Sequence, residues 1–326
     1  YLIWFFTFPQ YLFDGGLMKL VITGGHGYIG SNIANHLISL GHELIIIDSL
    51  NRPINISQPD CEWRQCDITN FKDIESIELQ GVDTVLHLAA QSSGPKSMIV
   101  PEDDVKINIL GTLNVIKWCI KYNVKRILFA SSFVVYGDTT EKSMINENFP
   151  YNPKSIYALS KYYCEKLLQI YAQPHGISWN ILRMFNVYGP GQDLNRNDQG
   201  MVSIFLNKVI NSDFVEVKGR LDRFRDFIYI DDVIQGWELC LLDNNNHNQI
   251  FNLGSGKKTY VSTLIDYIVK ACGKSNEVVI NEIVATPGDI MGCYADINKI
   301  KNGLGFVPKV DLKTGITLFL KDILKT

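Results

Sequence analysis

Three polar residues near the middle of the chain could transfer a proton. Tyr157 and Lys161 are four residues apart in a segment predicted to be helical, so their side chains lie on one face, a turn apart. A tyrosine with its ordinary pKa of about 10 is a poor base at neutral pH, but a nearby ammonium group favours the phenolate and lowers that pKa. Ser132, at the end of a predicted strand, could share the proton. The pattern predicts a tyrosine that removes a proton from a hydroxyl group.

A tyrosine and a lysine at this spacing are weak evidence by themselves, because both residue types recur on solvated helix faces. The prediction depends on three features that occur together in this chain. A dinucleotide-binding unit lies upstream, the pair Ser131-Ser132 ends a strand, and Tyr157 opens the next helix.

The dinucleotide-binding unit is a glycine-rich turn between a strand and a helix. Residues 23–30 read TGGHGYIG, after an apolar strand at 20–22 and before a helix at 31–40 that Gly41 closes. The helix is predicted to bury Ile33, Leu37 and Leu40 on one face. Such glycines allow a tight turn, close approach of the backbone to a pyrophosphate and close helix packing. The turn residues predicted to contact the cofactor are Gly24, Gly27, Tyr28, Ile29 and Gly30.

Asp48 identifies the preferred dinucleotide. It ends the second predicted strand, at 44–47, and lies 18 residues after Gly30. A carboxylate there hydrogen-bonds the adenosine ribose hydroxyls and repels a 2′-phosphate, which favours NAD over NADP. Arg52 is close enough in sequence to leave NADP as an alternative.

Strands and helices alternate through the first part of the chain. This order predicts an α/β fold, a Rossmann-like doubly wound parallel sheet, with ligands beyond the carboxyl ends of the strands. We expect a NAD-binding domain over 18–186 and a smaller α/β substrate-binding lobe over 187–326, interleaved with it. Residues 1–17 differ in composition from the rest of the chain and precede Met18, so they are interpreted as a non-native or misannotated extension, with a weak membrane-surface anchor as the alternative.

Composition excludes several classes of protein. A net charge of -3 leaves no basic footprint for nucleic acid. The apolar run in 1–17 is too short to span a membrane, because Pro9 interrupts it. Seven cysteines without a paired spacing indicate reduced thiols in a cytoplasm and predict no metal site.

Taken together, these motifs resemble the extended short-chain dehydrogenase/reductases, and within them the NAD-dependent sugar-nucleotide epimerase/dehydratase family. The resemblance runs from Met18 nearly to the C-terminus. Besides the glycine turn and Asp48, the motifs that carry it are CDI (66–68), HLAA (87–90), ASSFVVYG (130–137), YALSK (157–161), RMFNVYGPGQ (183–192), RDFIYIDDV (225–233) and FNLGSG (251–256).

The resemblance implies a role for each matching residue. Ser132, Tyr157 and Lys161 become the catalytic triad, and the last two also contact the cofactor. The further residues implied to contact NAD are Asp67 and Ile68 at the adenine, with Ala89 and Ala90 along the cofactor. The residues implied to bind a nucleotide sugar are Ser132, Asn186, Met201, Arg225 and Cys293, with Arg225 on the diphosphate.

Two positions argue against two of the reactions that members of this family catalyse. Dehydratases of the family carry acidic residues just after the catalytic Ser or Thr, and decarboxylases a glutamate; this chain has Phe133 and Val134, which transfer no protons. The resemblance therefore implies NAD-dependent epimerisation at C4 of a nucleotide sugar, UDP-glucose/UDP-galactose with the N-acetylhexosamines as a further option. A nucleotide 4-keto-sugar reductase and a non-catalytic dinucleotide-sensing protein are the alternatives.

Three positions bear on which nucleotide sugar is bound, and the resemblance also implies an oligomeric state. The small Cys293 matches a position that restricts the sugar pocket, and would admit N-acetyl groups unless it merely fills the core. Thr286 replaces an arginine that often contacts the diphosphate; either Arg220 or Arg223 takes that role, or the nucleotide is a different one such as GDP or dTDP. Ser92 replaces a lysine that some epimerases carry near the cofactor ribose. A homodimer through a four-helix bundle is implied. The positions expected in it are Val105, Ile109, Leu113 and Ile116, together with the Tyr157 helix; the alternative is that these four positions belong to the core.

Overall fold

Seven parallel strands form the central sheet of the protein. The computed structural model describes residues 16–51, 59–139, 144–274, 278–286 and 288–325. The strands of this sheet are β1 (Lys19–Thr23), β2 (Glu43–Asp48), β3 (Glu62–Gln65), β4 (Thr84–His87), β5 (Arg126–Ser132), β6 (Ser178–Met184) and β11 (Gln249–Leu253). Their spatial order is β11-β6-β5-β4-β1-β2-β3, and every neighbouring pair is parallel. The predicted doubly wound α/β fold is confirmed.

Helices cover both faces of the sheet and the smaller lobe. They are α1 (Tyr28–Ser39), α2 (Phe71–Glu75), α3 (Gly94–Ser97), α4 (Pro101–Asp103), α5 (Gly111–Lys121), α6 (Ile156–Leu167), α7 (Met201–Asn211), α8 (Ile230–Leu242), α9 (Val261–Ala271), α10 (Asn298–Leu304) and α11 (Leu312–Ile323). A π-helical segment, Asp104–Leu110, joins α4 to α5, and another, Leu168–Ala172, extends α6. None of the helices in the described parts of the chain is long and apolar enough to cross a membrane.

The core has two layers because successive strand side chains point to opposite faces. In β1, Val21 packs into the layer beneath α5 and α6, whereas Leu20 and Ile22 pack beneath α1 and α8. Burial on both faces explains why these strands read as continuous apolar runs. The sheet is thereby held rigid, and its carboxyl edge positions the side chains that follow each strand.

The second half of the chain contributes to the sheet and also builds a separate lobe. Strand β11 pairs with β6, while α7, α9 and α11 enclose their own apolar cluster around residues such as Phe205, Ile265 and Phe319. The short strands of this half are β7 (Asn186–Tyr188), β8 (Phe214–Lys218), β9 (Phe224–Arg225), β10 (Phe227–Tyr229), β12 (Thr259–Tyr260), β13 (Val279–Ile283) and β14 (Gly292–Cys293). They form three small sheets at the lobe's boundary with the cleft.

Some local predictions need correction. Leu40 is 37% exposed, because α1 ends at Ser39 and Leu40 follows as its C-cap; Gly41 then takes a left-handed φ of +90°. Ile116 is buried in the core, so it is not available on an outer helix face. Arg52 lies outside the described residues, as do residues 1–15 of the interpreted N-terminal extension.

Candidate active site

A cleft of about 1400 Å³ opens at the carboxyl edge of the sheet, between the sheet and the smaller lobe. Its walls include the glycine turn after β1, the ends of β2, β4, β5 and β6, the start of α6 and the arginines of the 223–225 segment. The strand order reverses between β1 and β4, which is where ligands bind in open α/β sheets.

The glycine turn is packed too tightly for side chains. Gly24 has a φ of +73°, and a Cβ atom there would lie 2.6 Å from the backbone nitrogen of Ala89. A Cβ atom on Gly30 would lie 2.2 Å from the carbonyl oxygen of Gly24. The turn ends at Gly27, the N-cap of α1, which has no capping side chain. The first N–H groups of α1 are thus left to bind an anion such as a pyrophosphate.

Asp48 is held rigidly at the end of β2. Its two carboxylate oxygens accept hydrogen bonds from the backbone N–H groups of His26 and Leu50, each at 3.0 Å. A carboxylate oxygen accepts more than one hydrogen bond, so Asp48 retains capacity for ribose hydroxyl groups.

The other predicted cofactor residues line the same cleft. Asp67 is exposed at the rim and Ile68 is buried beside it, after β3. The backbone of Ile68 is fixed because its carbonyl accepts from the Asn114 side chain at 2.9 Å. Ala89 and Ala90 follow β4 and are half-buried in the cleft wall.

The structure brings Ser132, Tyr157 and Lys161 together. Ser132 ends β5, and Tyr157 is the second residue of α6, whose N-cap Ser155 accepts from the Ala158 N–H at 3.1 Å. Lys161 is buried and donates from Nζ to the carbonyl of Ala130 at 2.8 Å. Its Nζ lies 6.0 Å from the centroid of the Tyr157 ring.

Burial changes the pKa values of both Tyr157 and Lys161. Burial raises the pKa of Tyr157 to about 12, and its hydrogen bond with Ser132 only partly offsets this. Burial also lowers the pKa of Lys161 to about 8. In the protein groups alone, desolvation of the phenolate outweighs the predicted effect of the Lys161 ammonium group. A positively charged nicotinamide ring, when bound, would favour the phenolate.

An apolar wall adjoins Ser132. Phe133 and Phe185 stack with ring centroids 5.2 Å apart and an interplanar angle of 19°, and both line the cleft with Val134. These side chains neither donate nor accept protons. The wall therefore leaves Tyr157 and its immediate neighbours as the acid–base groups at this point of the cleft.

Of the predicted substrate residues other than Ser132, three line the same cleft and one does not. Asn186 opens β7, where its side chain donates to the Asp226 carbonyl at 2.8 Å, and Met201 opens α7. Both line the cleft, as does Arg225. Cys293 does not: its side chain is fully buried in an apolar cluster with Phe133. The structure places it as a core residue, the alternative left open by the sequence.

Arg225 is occupied by protein partners. Its guanidinium donates to the Asp289 carboxylate at 2.7 Å and to three backbone carbonyls, of residues 224, 290 and 291, at 2.8–3.2 Å. Arg223 pairs with the second oxygen of Asp289. Two arginines thus share one carboxylate at the cleft wall, leaving a net positive charge there. Arg220 instead pairs with Asp222 and is largely exposed.

Sequence reasoning missed a polar network beneath the cleft floor. It contains Gln91, Asp104, Asn108 and Ser160, all buried and hydrogen-bonded to one another. The available signal was the spacing of Asp104 and Asn108, two short polar side chains one helical turn apart in a segment (104–110) whose other residues, apart from Lys106, are apolar.

Comparison with known proteins identifies the family. The sequence profile of the NAD dependent epimerase/dehydratase family matches residues 20–254. The chain belongs to this family. It is 37% identical over 299 residues to a putative UDP-glucose 4-epimerase of Methanocaldococcus jannaschii, with 91% of this chain and 95% of that protein covered.

Solved structures of the family superpose closely on the chain. The UDP-glucose 4-epimerase of Thermotoga maritima with UDP-glucose is 31% identical, with a TM-score of 0.88 over 94% of this chain and 99% of that one. The Thermus thermophilus UDP-glucose 4-epimerase in complex with NAD is 30% identical, with a TM-score of 0.86 and the same coverage. Relatives at 28% identity include a UDP-glucuronic acid decarboxylase of Xenopus tropicalis and a dTDP-4-dehydro-6-deoxyglucose reductase of Escherichia coli.

Membership of this NAD-dependent family confirms the predicted cofactor, and the residues of this chain fit it. The uncapped start of α1 suits the pyrophosphate, and Asp48 suits an unphosphorylated ribose. Within the described residues, no cluster of three or more His, Cys, Asp or Glu side chains could hold a metal ion.

Proposed function

We propose that the protein interconverts UDP-glucose and UDP-galactose by epimerisation at C4, with NAD as its bound cofactor. The observation that carries the proposal is the group of Ser132, Tyr157 and Lys161 beside the apolar pair Phe133 and Phe185. Oxidation and reduction at a single carbon need one proton-transfer residue. Elimination of water needs further acid–base groups, and the wall next to Ser132 has none.

The chain's residues would act on the C4 hydroxyl group. Ser132 holds this hydroxyl and Tyr157 accepts its proton, while Lys161 places a positive charge near the phenolate. When bound, NAD supplies the acceptor for the C4 hydride and later its donor. The resulting 4-keto sugar rotates within the cleft and presents its opposite face. Tyr157 returns the proton to the oxygen when the hydride is returned to that face. Proton and hydride balance in each turnover.

The diphosphate is proposed to bind at Arg225 and Arg223. Both side chains are nearly buried, so their charges are poorly screened by water. A diphosphate would compete with Asp289 for them. Arg223 thereby supplies the diphosphate contact of the arginine that Thr286 replaces, whereas the exposed Arg220 is less suited to this contact.

Nuclear magnetic resonance of the purified protein with UDP-glucose tests the proposal directly. We expect the galacto epimer to form without net change in cofactor. Tyr157→Phe should abolish turnover while the protein still binds NAD, whereas Tyr171→Phe, which removes a hydroxyl outside the cleft on the extension of α6, should turn over normally. Epimer formation by Tyr157→Phe at the wild-type rate would refute the assigned base.

UDP-N-acetylglucosamine is the matched second substrate. Since Cys293 is buried in the core, its size supplies no argument for or against an N-acetyl group. The ratio of the two epimerisation rates therefore decides whether the substrate range extends to N-acetylhexosamines.

The similarity to the Escherichia coli reductase keeps a 4-keto-sugar reductase as the second candidate. Such an enzyme consumes one equivalent of reduced cofactor per turnover, which absorbance of the nicotinamide reports. A non-catalytic dinucleotide sensor would bind NAD and convert neither nucleotide sugar. The NMR experiment and the cofactor balance together separate these three functions.

We also propose that the protein is a homodimer through an outer helical face. Apolar side chains on two adjacent helical runs, 101–121 and 156–172, are exposed; they are Val105, Leu110, Leu159, Tyr163 and Ile170. Ile109 and Leu113 are half-buried at its edge. Leu159→Glu should yield monomers in light scattering, whereas Val284→Glu, at a 90% exposed position elsewhere, should not. Monomeric wild-type protein would contradict this assembly.

The cytoplasm is the proposed compartment. All seven cysteines are free in the structure. Unpaired thiols are typical of a reducing environment.

A further inference from the structure

A buried carboxylate lies directly behind the candidate catalytic residues. Asp104 is fully buried and begins the π-helical segment Asp104–Leu110. One of its oxygens accepts a hydrogen bond from the side-chain amide of Gln91 at 2.9 Å, and the other lies 3.1 Å from Nδ2 of Asn108, whose two hydrogens are shared among Asp104 and two further acceptors. Amide N–H groups suit an ionised carboxylate, which only accepts.

The hydrogen bonds of Asp104 extend to the cleft floor. The Asn108 side chain accepts from the Gln91 N–H at 2.8 Å and donates to the Gln91 carbonyl at 3.0 Å. Gln91 directly follows Ala90 and lines the cleft. The position of Asn108 therefore fixes the backbone that follows Ala89 and Ala90, the two residues predicted to lie along the cofactor.

The same network reaches the catalytic helix. Asn108 donates to the Ser160 hydroxyl at 2.8 Å, and this hydroxyl donates to the Tyr157 carbonyl at 2.9 Å. Ser160 is next to Lys161 in sequence. Asp104, through Asn108 and Ser160, thus anchors the first turn of α6 to the cleft floor.

A buried carboxylate is costly unless a cation and hydrogen bonds compensate for lost hydration. Burial raises the pKa of the Asp104 carboxyl group, and the hydrogen bonds of Gln91 and Ser160 and the positive charge of Lys161 oppose this shift. Asp104 in turn opposes the lowering of the Lys161 pKa by burial. The other titratable groups that face these two residues are Asp103, Tyr157, Cys164, Glu165 and His87. Burial by itself would favour the neutral amine.

We propose that Asp104 is a positioning residue for the reaction, which through Asn108 and Ser160 holds Tyr157 and Lys161 against the cleft floor. The proposal rests on the catalytic role proposed above for these two residues. It goes beyond that role because it assigns a function to a carboxylate that touches neither substrate nor cofactor.

Asp104→Asn tests the charge, and lysine side-chain NMR of the labelled protein supplies the readout. The resonance of Lys161, assigned by comparison with Lys161→Met, should titrate about one pH unit lower in Asp104→Asn than in the wild type, because a favourable negative charge is removed. Glu102→Gln removes the same charge from an exposed neighbouring residue and should leave the midpoint unchanged. An unaltered midpoint in a folded Asp104→Asn protein would overturn the proposal.

Ser160→Ala tests the positioning and keeps the carboxylate. We expect kcat to fall about tenfold with little change in KM, and the Lys161 midpoint to stay at the wild-type value. Wild-type kcat in this variant would overturn the positioning role, also if Asp104→Asn does not fold. Absence of epimerase activity in the wild type would refute the proposed function, whereas the Lys161 midpoint would still decide the effect of Asp104.

Discussion

His87 makes a specific prediction about stability and pH. It ends β4 and is 1% exposed. Its ring nitrogens hydrogen-bond the hydroxyls of Thr23 at 2.7 Å and Thr112 at 2.9 Å, which links β1 to α5 beneath the cleft. Burial, with a smaller contribution from Lys161, lowers the pKa of His87 to about 3. The folded protein therefore contains the neutral ring.

The sign of the effect follows from linkage. The unfolded chain takes up a proton at His87 below an ordinary value of 6.5, while the folded protein does not until pH falls to about 3. The stability due to the neutral ring is complete above pH 6.5 and is lost as pH falls toward 3. At about 1.36 kcal/mol per pH unit, the loss is about 1.4 kcal/mol at pH 5.5 and about 5 kcal/mol in full.

Urea unfolding at pH 7.5 and 5.5 measures this term. Between these conditions wild type should lose about 1.4 kcal/mol more than His87→Gln, which retains hydrogen-bonding groups and does not titrate. In His175→Gln, at an exposed histidine, the change in unfolding free energy between the two pH values should be the same as in the wild type. An equal loss of unfolding free energy between the two pH values in wild type and His87→Gln would refute the reasoning, since it would show that the buried ring does not resist protonation.

Two further predictions concern packing. Arg183→Met leaves the Glu165 carboxylate buried without its cation and should lower the free energy of unfolding by about 3–5 kcal/mol. Adding Glu165→Gln to this variant should recover part of the loss. Strictly additive losses of the two substitutions in urea unfolding would contradict the pairing. Gly24→Ala places a Cβ atom against Ala89 and should weaken NAD binding at least about tenfold by calorimetry, whereas Gly176→Ala, also at positive φ but in open space, should bind NAD normally. Equal NAD affinity in both variants would show that the turn has room to adjust.

Local patterns were sufficient to predict most of the cofactor half. The glycine turn, Asp48 and the helix of Tyr157 lie within short segments whose apolar periodicity and turn residues specify their structure. The two-residue strands β9, β12 and β14 of the smaller lobe cannot be predicted in this way, because strands of that length carry no periodic signal. Their pairing depends on partners far away in sequence.

The sequence by itself determined the family, the doubly wound sheet and which residue types carry the proton chemistry, since these depend on local spacing and on motifs in order. Only the tertiary structure decided how those residues are used. It brought Asp289 onto Arg225, which is 64 residues away, and it buried Cys293. It also raised the pKa of Tyr157, because the energy of a charge depends on desolvation by side chains that meet only in the folded chain.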